Sequence, residues 1–500
     1  MRTTPQPRDP AERRRRRSLP TWLNGSRFSA WIAGSSWWLW SLDRRLRERW
    51  QVRLVLWLAA GAAGLAVVGF ATLAERSLAL FDNLYRVAWW SPFVLSPVLG
   101  MAVVWATRRY VPGAAGSGIP QVVAATQLAA LGRPVEALLS MKVAVGKVLL
   151  GSLALVGGFS AGREGPSVQV AASVLNLANR FLPRGRALRA SDLILAGGAA
   201  GIAAAFNTPL AGIVFAVEEL GRRLESRTSG VLVSTIIVSG LVAIALKGNY
   251  AYFGQLTVRD LGVAVVLPTL TAGLVCGVLG GGFSWLLLWP QRHPDVALWA
   301  WRRAHPIAFA GLCGTVVASM GWVSGGTSFG SGYAAASQAI AGHITLEWHT
   351  PITRFIATLA TYFSGMPGGI FAPSLAVGTA VGSDLAQWLP LGIDAHGWIA
   401  LCMAAFLAAV TQSPITAAII VMEMVNGHQM VISLMAVAFL AKTVSASFGP
   451  ELYQQLAGSW MSAAETGSAT LAIAAPPAPA PAPATAPAPA PRPSPRSDPS

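Results

Sequence analysis

The sequence predicts an all-α polytopic membrane protein made of two related halves, and three observations support this fold class. Hydrophobic residues make up 53% of the 500-residue chain and charged residues only 12%, whereas soluble domains carry about 25% charged residues. Apolar segments recur from Val52 almost to Ala441 with no long polar break. Several are shorter than the roughly 20 residues of a straight membrane span, or contain Gly and Pro, which predicts helices that stop partway through the membrane.

The formal net charge of +16 comes largely from basic residues that precede the first long apolar segment. The clusters at residues 13–17 and 44–53 follow the positive-inside pattern and place the N-terminus in the cytoplasm. They also suit contact with anionic lipid headgroups. Nucleic-acid binding is not expected, because no soluble domain presents a basic face. Asn24 and Arg27 interrupt the tryptophan-rich stretch that follows, which favours an uncleaved interfacial segment over a signal peptide.

The composition divides the chain into four regions. Residues 1–50 form a basic, Trp-rich N-terminal region that is cytoplasmic or interfacial. Residues 51–250 and 251–460 form the first and second halves of one membrane domain. Residues 461–500 are rich in Ala and Pro, cannot bury a core, and predict a disordered tail of partly polyproline-II conformation. We expect a multi-pass protein of the bacterial inner (plasma) membrane with both termini in the cytoplasm.

Two Gly- and Pro-rich stretches, one in each half, resemble each other. The first runs from Gly158 to Pro166 and leads into the apolar run 167–173, and the second runs from Tyr362 to Pro373 and leads into 374–380. Corresponding broken segments in two halves of a membrane protein are typical of a transport site between structural repeats. The alternative is a pair of unrelated glycine-rich helix starts.

Three glycine-rich elements ending in proline predict an anion site. The first amides of a helix lack an internal acceptor, and the helix dipole is positive at that end. Such an end binds an anion without a full positive charge, which allows the ion to be released again. The elements are Gly116-Ser-Gly-Ile-Pro120, Gly162-Arg-Glu-Gly-Pro166 and Gly368-Gly-Ile-Phe-Ala-Pro373.

These elements resemble the motifs of the CLC family of chloride channels and chloride/proton exchangers. The resemblance spans roughly 55–460, and further matches occur in family order: Phe206-Asn-Thr-Pro-Leu-Ala-Gly212, Glu218-Glu219, Gly330-Ser-Gly-Tyr333 and Tyr453. It implies two inverted-topology, intertwined repeats of tilted, broken and re-entrant helices, in a homodimer with one ion pathway per subunit. It also implies a transporter rather than an enzyme, with chloride ions as substrate, no cofactor, and no nucleotide-binding CBS pair after Tyr453.

The resemblance implies a role for particular residues of a chloride site. Ser117 corresponds to the hydroxyl that contributes to the central site from the inner side, and Tyr453 corresponds to its phenol partner. The amides of Ile370 and Phe371 complete the site. The remaining residues assigned to chloride binding lie in the first two motifs: Gly118, Ile119, Arg163 and Gly165. Arg163 is either a charge partner near the entrance or an interfacial arginine whose side chain extends outward.

Glu164 resembles the external gating glutamate, whose carboxylate occupies an anion position and moves away when it is protonated. A carboxylate inside a membrane is costly and is therefore usually functional. Burial and a neighbouring chloride favour its neutral form, whereas helix-end amides favour its charged form, so its charge is switchable. The alternative is a glutamate that only satisfies amides at a helix start.

Glu219 occupies the position at which exchangers of the family usually carry the internal proton-transfer glutamate and channels commonly carry an apolar residue. The alternative for Glu218 and Glu219 is a helix end at the cytoplasmic surface with pairs to Arg222 and Arg223. The sequence therefore favours a proton-coupled chloride/proton exchanger. A passive voltage- or pH-gated chloride channel remains the alternative.

Other functions agree less well with the sequence. A fluoride exporter departs from the family at the central serine and tyrosine, whereas Ser117 and Tyr453 are both present. Gly158-Phe-Ser-Ala-Gly162 matches the G-x-S-x-G pattern of a hydrolase, but that motif follows a β-strand, and here it follows an apolar segment. A membrane scaffold would move no anion. Metal binding is not expected, because the three cysteines and six histidines show no ligand spacing.

Overall fold

The computed structural model of the protein describes residues 25–183, 188–221, 226–248, 252–254 and 262–465, and this part of the chain is α-helical. It contains no β-strand, only two isolated bridges between glycine-rich loops. The helices are α1 (Gly25–Val87), α2 (Pro92–Tyr110), α3 (Ile119–Ala130), α4 (Met141–Val156), α5 (Glu164–Ala178), α6 (Ala190–Phe206), α7 (Pro209–Phe215), α8 (Ser226–Lys247), α9 (Val266–Arg292), α10 (Ala297–Ala304), α11 (Pro306–Val323), α12 (Tyr333–Ile340), α13 (Thr350–Ser364), α14 (Phe371–Trp388), α15 (Ala395–Thr411), α16 (Pro414–Met424), α17 (Val431–Ser445) and α18 (Leu452–Glu465).

The chain divides into two units, Met1–Val55 and Leu56–Ser500. The basic cluster at residues 13–17, the pair Arg222 and Arg223, and the Ala/Pro-rich tail beyond residue 465 lie outside the described residues. Within the first unit, the described residues belong to helix α1, which begins at Gly25. Within the second unit, the two predicted halves of the membrane domain form one compact body.

Within the described residues, five helical segments are long and apolar enough to cross a membrane: Glu48–Val87, Gly230–Lys247, Val263–Arg292, Pro306–Val323 and His428–Ser445. Other apolar helices of the described chain are shorter than a span, such as α3 with 12 residues and α16 with 11. Short helices inside a membrane protein leave backbone amides and carbonyls that must find partners within the protein. The prediction of a membrane protein with broken helices is therefore confirmed.

The second half of the protein repeats the helix order of the first. Helices α6 and α15 both have 17 residues, and each ends at a residue in the left-handed conformation, Asn207 (φ 59°) and Gln412 (φ 60°). Two residues later a proline begins a short helix in each half, Pro209 in α7 and Pro414 in α16. A left-handed residue ends the helix, and proline is well accommodated in the first turn of the next.

Two glutamates show that the halves are inverted with respect to each other. Glu218 follows α7, and its carboxylate accepts hydrogen bonds from the amides of Ile415 (3.1 Å) and Thr416 (2.6 Å) at the start of α16. Glu423 lies near the end of α16, and its carboxylate accepts from the amides of residues 210 (3.3 Å) and 211 (2.7 Å) at the start of α7. Because the end of each helix meets the start of the other, α7 and α16 run antiparallel.

Glycines allow two corresponding helix pairs of the core, α5 with α6 and α14 with α15, to pack closely. In the first half Gly197 and Gly201 of α6 face α5, where a Cβ would lie 2.8 Å from the Cα of Ala172 or Val168. In the second half Gly378 of α14 faces α15 in the same way, with a Cβ 2.6 Å from the Cys402 carbonyl. Small residues at such contacts let membrane helices approach at backbone distance, and this packing positions α5 and α14, whose first turns form the site described below.

We predict that replacing either capping glutamate destabilises the junction between the halves. Glu423→Ala and Glu218→Ala each leave two helix-start amides without an acceptor, which lowers the free energy of unfolding by about 1 kcal/mol. Thermal unfolding of the detergent-solubilised protein measures the effect, and Glu347→Ala is the control because that side chain is exposed. Variants as stable as the control would show that these contacts contribute nothing.

Candidate functional site

The three glycine-rich loops predicted from the sequence lie together and are hydrogen-bonded to one another. The amide of Gly116 donates to the carbonyl of Met366 (3.0 Å), and the amide of Gly368 donates back to the carbonyl of Gly116 (3.0 Å). Gly162 and Gly369 exchange a second pair of backbone hydrogen bonds, at 2.7 and 2.8 Å. The loop of the second half therefore joins both loops of the first half.

A helix begins at each of these loops. Helix α3 begins at Ile119, α5 at Glu164 and α14 at Phe371, so three helix starts converge on one region. Their first amides have no acceptor within the helix. Gly118 precedes α3 with a φ of 107°, a conformation that side chains other than glycine rarely adopt. The convergence of positive helix ends creates a region that favours an anion.

Two hydroxyl groups face this region from different helices. Ser117 precedes α3, Tyr453 lies in the first turn of α18, and both side chains are buried. The two groups are close enough to interact, yet neither hydroxyl has a hydrogen-bond partner among the described residues that meets the usual distance and angle. Gly165 of α5 lies against them, since a Cβ there would be 2.5 Å from the Ser117 hydroxyl oxygen. Buried donors without protein acceptors are suited to an anion.

The second half contributes helix-start amides to the same region. Ile370 and Phe371 are both buried, and they are the cap and the first residue of α14. Neither amide has an acceptor within the helix. The four groups predicted for the central site, two hydroxyls and two amides, thus come from helix starts of both halves.

The backbone amide of Gly118 already donates a hydrogen bond within the protein. It donates to the side-chain oxygen of Gln121 (3.0 Å), whose amide nitrogen donates to the carbonyl of Ala115. Gly118 therefore contributes its unusual conformation rather than a free amide. The sequence interpretation did not identify Gln121, although its position three residues after the helix cap is the spacing of a capping box.

A fully buried lysine supports the loop that carries Ser117. The ammonium of Lys147 in α4 donates to the carbonyls of Gly116 (2.6 Å) and Ala114 (2.8 Å). These contacts give the loop carbonyls a buried donor from another helix and thereby fix the loop in place. Lys142, the other lysine of this helix, is exposed.

Glu164 is fully buried at the start of α5. Its carboxylate packs against Gly162, where a Cβ would lie 2.3 Å from Oε2, and it faces the amide of Ala372 in the first turn of α14. The other oxygen, Oε1, accepts a hydrogen bond from the phenol of Tyr252 (3.3 Å). The carboxylate thus occupies the same convergence of helix starts that an anion would.

Arg163 is held inside the protein rather than extended outward. Its guanidinium donates to the carbonyl of Ala71 (2.7 Å) and to the carboxylate of Glu75 (2.8 Å), both in α1. Lys247 at the end of α8 contacts the other oxygen of Glu75 at 2.6 Å. Arg163, Glu75 and Lys247 thus form a charge cluster beside Glu164.

A large cavity of about 810 Å³ opens beside this charge cluster, and we call it the Arg163 cavity. Besides the charge cluster, its charged lining residues are Asp82, Arg86 and Arg354. Arg354 of α13 is buried, and its guanidinium donates to the carbonyls of Thr327, Gly330 (3.0 Å) and Phe329 (3.1 Å). Its charge therefore adds to a predominantly positive wall, which attracts anions.

A second, smaller cavity of about 80 Å³ reaches Ser117 from another side, and we call it the Ser117 cavity. Its lining includes Gly116, Arg302, Arg303 and Tyr362. Ser117 thus borders one cavity, whereas Arg163 and Tyr252, the neighbours of Glu164, border the other.

Glu219 is buried in a π-helical turn, Ala216–Gly221, that continues α7. Its carboxylate accepts a hydrogen bond from the hydroxyl of Ser413, the residue before α16. The side-chain amide of Gln454 donates to the Glu219 carbonyl (3.2 Å), which links this turn to the residue after Tyr453. The preceding Glu218 has a different task, because its carboxylate caps α16. Sequence reasoning missed Ser413 and Gln454, which carry no motif of their own.

No group of His, Cys, Asp and Glu side chains suited to holding a metal occurs in the described part of the chain. The arrangement is instead that of a membrane protein with a buried anion region between two cavities and two buried carboxylates near it. This geometry defines the class of membrane ion-transport proteins.

Comparison with known proteins identifies the family to which this chain belongs. The sequence model described as Voltage gated chloride channel matches residues 99–446. The chain is 32% identical over 445 residues to the H(+)/Cl(-) exchange transporter ClcA of Cronobacter sakazakii, covering 83% of this chain and 91% of that protein. The protein therefore belongs to the voltage-gated chloride channel family, and the predicted relationship is confirmed.

Solved structures of the family share the fold. A slow cyanobacterial Cl-/H+ antiporter superposes with a TM-score of 0.70 at 23% identity, covering 82% of this chain and 98% of the antiporter. A CLC-type fluoride/proton antiporter superposes with a TM-score of 0.67 at 22% identity, covering 80% and 96%. At such identities the likeness concerns the fold, and the predicted fold class is confirmed.

Proposed function

We propose that this protein exchanges chloride for protons across the membrane. The observation that carries the proposal is the meeting of three helix starts at a buried carboxylate, beside two buried hydroxyls that lack a hydrogen-bond partner among the described residues. A second buried carboxylate lies nearby. The relative from Cronobacter sakazakii is named an H(+)/Cl(-) exchange transporter. Residues 117, 164, 219 and 453 supply, in this chain, the groups that such an exchange requires.

Chloride binds between the hydroxyls of Ser117 and Tyr453 and the amides of Ile370 and Phe371. All four are neutral donors, so each stabilises the ion without the strong hold of an ion pair. Ile119 and Gly165 extend this set, because they lie in the first turns of α3 and α5. Arg163 acts at longer range, since its guanidinium is tied to Glu75.

Glu164 is the external gate. Its carboxylate competes with chloride for the same amide-rich region, and protonation removes the charge that holds it there. The neutral side chain then leaves, and an anion takes its place. Anion movement is thereby linked to proton binding at Glu164.

Glu219 is the internal proton-transfer residue. Its burial, its contact with Ser413 and the hydrogen bond from Gln454, the residue after Tyr453, to its backbone support this role. Protons and chloride therefore approach Glu164 by different routes from the inner side. The Ser117 cavity is the inner entrance for chloride, and the Arg163 cavity is the outer one.

The assembly is a homodimer with one pathway in each subunit, located in a bacterial inner membrane with both termini in the cytoplasm. Helices α7, α8, α16 and α17 pack side by side. They expose large apolar side chains, among them Leu210, Leu241, Ile415 and Ile432. Such a surface suits a second copy of the chain within the lipid bilayer.

We predict that a chloride gradient drives proton movement in proteoliposomes that contain the protein. Glu219→Ala abolishes this proton movement while chloride flux continues, because only the internal proton route is lost. Parallel chloride-electrode and pH-electrode recordings measure both fluxes, and Glu347→Ala is the control. Chloride flux without proton movement in the unmodified protein would identify a passive channel and overturn the proposal.

We predict that Glu164→Gln makes chloride flux independent of external pH. The amide has the shape of the protonated carboxyl and cannot titrate, so the gate remains in one charge state. Chloride flux is measured over a series of external pH values. A pH dependence equal to that of the unmodified protein would exclude Glu164 as the gate.

We predict that the double variant Ser117→Ala with Tyr453→Phe binds chloride about a hundredfold more weakly, because two hydrogen bonds to a charged ion are lost, each worth about tenfold in affinity. Isothermal titration of chloride into the detergent-solubilised protein measures the affinity. Tyr110→Phe is the control, since that side chain is exposed. Unchanged affinity in the double variant would place the chloride site elsewhere.

A further inference from the structure

We propose that Tyr252 is a positioning residue that holds the Glu164 carboxylate in the anion path and thereby sets the pH at which the exchanger opens. This inference rests on the gate role of Glu164 proposed above. Tyr252 lies in the connection between α8 and α9, outside all of the motifs on which the family relationship depends. Its hydroxyl donates to Oε1 of Glu164 at 3.3 Å.

The ring of Tyr252 is fixed in place by its surroundings. The side chain is buried, and the amide of the following residue, Phe253, donates to the carbonyl of Met424 (2.9 Å) at the end of α16. Edge-to-face contacts surround the ring, with centroid distances of 5.4 Å to Phe206, 5.0 Å to Phe253 and 4.8 Å to Tyr333. A ring held on several sides presents its hydroxyl in one position.

The bond between Tyr252 and Glu164 discriminates between the two charge states of the gate. A phenol donates strongly to a carboxylate, because hydrogen bonds to charged groups are about twice as strong as neutral ones. Protonation of Glu164 removes that charge and weakens the bond. Tyr252 therefore stabilises the ionised, closed gate and releases the neutral one.

The same tyrosine connects the gate with the charge cluster. The guanidinium of Arg163 lies over the Tyr252 ring, 5.9 Å from its centroid. The same guanidinium forms an ion pair with Glu75, and the other carboxylate oxygen of Glu75 pairs with Lys247. A cation on the ring face is attracted to the ring and makes its hydroxyl a better donor.

The charged and titratable groups around Glu164 come from several elements. Arg163 precedes α5, Tyr252 comes from the α8–α9 connection, and Tyr453 of α18 interacts at longer range. From α14 the carboxylate faces only a backbone amide, that of Ala372. Within the described part of the chain, Tyr252 is the side chain that donates a hydrogen bond directly to this carboxylate. Loss of its hydroxyl therefore changes the balance between the closed and open gate.

Tyr252→Phe tests the inference, because it removes the hydroxyl and keeps the ring contacts. We expect the half-maximal pH of proton-activated chloride flux to move upward by about one unit, which corresponds to one hydrogen bond to a charged group. Flux at alkaline pH rises accordingly, since the carboxylate is less firmly held. Chloride flux of proteoliposomes over a series of external pH values gives the profile.

Tyr333→Phe is the matched control. Tyr333 belongs to the same aromatic cluster and contacts Tyr252 edge-to-face, so its variant reports the effect of losing a hydroxyl from the cluster. Its pH profile is expected to match that of the unmodified protein. An equal shift in both variants would mean that the effect comes from repacking of the aromatic rings, and it would overturn the proposal.

A second experiment separates this inference from the gate role itself. In a Glu164→Gln background, Tyr252→Phe is expected to change nothing further, because the group that the phenol holds no longer ionises. If Tyr252→Phe changed the pH profile of chloride flux further in this background, the positioning role would be overturned. If Glu164→Gln alone retains normal pH dependence, the gate assignment fails. If Glu164→Gln removes the pH dependence and Tyr252→Phe leaves it unshifted, only the role of Tyr252 fails.

Discussion

The structure depends on the pairing of glycine-rich loops in the middle of the protein. Residues 116, 162 and 368–369 satisfy one another's backbone groups, and each loop thereby leaves the first amides of a helix without an acceptor. In a membrane interior, unpaired amides must be buried in protein or line a cavity. The two halves pack so that these amides face a common region, which a carboxylate occupies and an anion can share.

The neighbouring residues Glu218 and Glu219 show that the partners of a carboxylate depend on its position in the fold. Glu218 and Glu219 are adjacent in sequence, yet the first caps a helix of the opposite half while the second is buried against the hydroxyl of Ser413. The Glu218 carboxylate accepts hydrogen bonds from two backbone amides at the start of α16, whereas the Glu219 carboxylate accepts one from a side-chain hydroxyl. The π-helical turn that contains both residues makes this divergence possible, because it changes the direction of consecutive side chains.

Much of the candidate site could be predicted from sequence, because its determinants are local. Glycine and proline at a helix start identify the three anion-facing loops, and a carboxylate in an apolar setting identifies Glu164. The contacts that complete the site could not be predicted in this way. Lys147 supports the loop of Ser117 from another helix, and Gln121 takes up the amide of Gly118. Tyr252 reaches Glu164 from a connection without any motif.

By itself, the sequence determined the membrane class, the short and broken helices and the repeated glycine-rich loops. These follow from composition and from backbone preferences that act over a few residues. Tertiary structure alone decided that each half caps a helix of the other, that Glu218 caps α16 while Glu219 contacts Ser413, and that Tyr252 contacts Glu164. Such contacts join residues far apart in the chain, because the burial of polar groups within a membrane is satisfied by whichever segment packs nearby, whatever its position in the sequence.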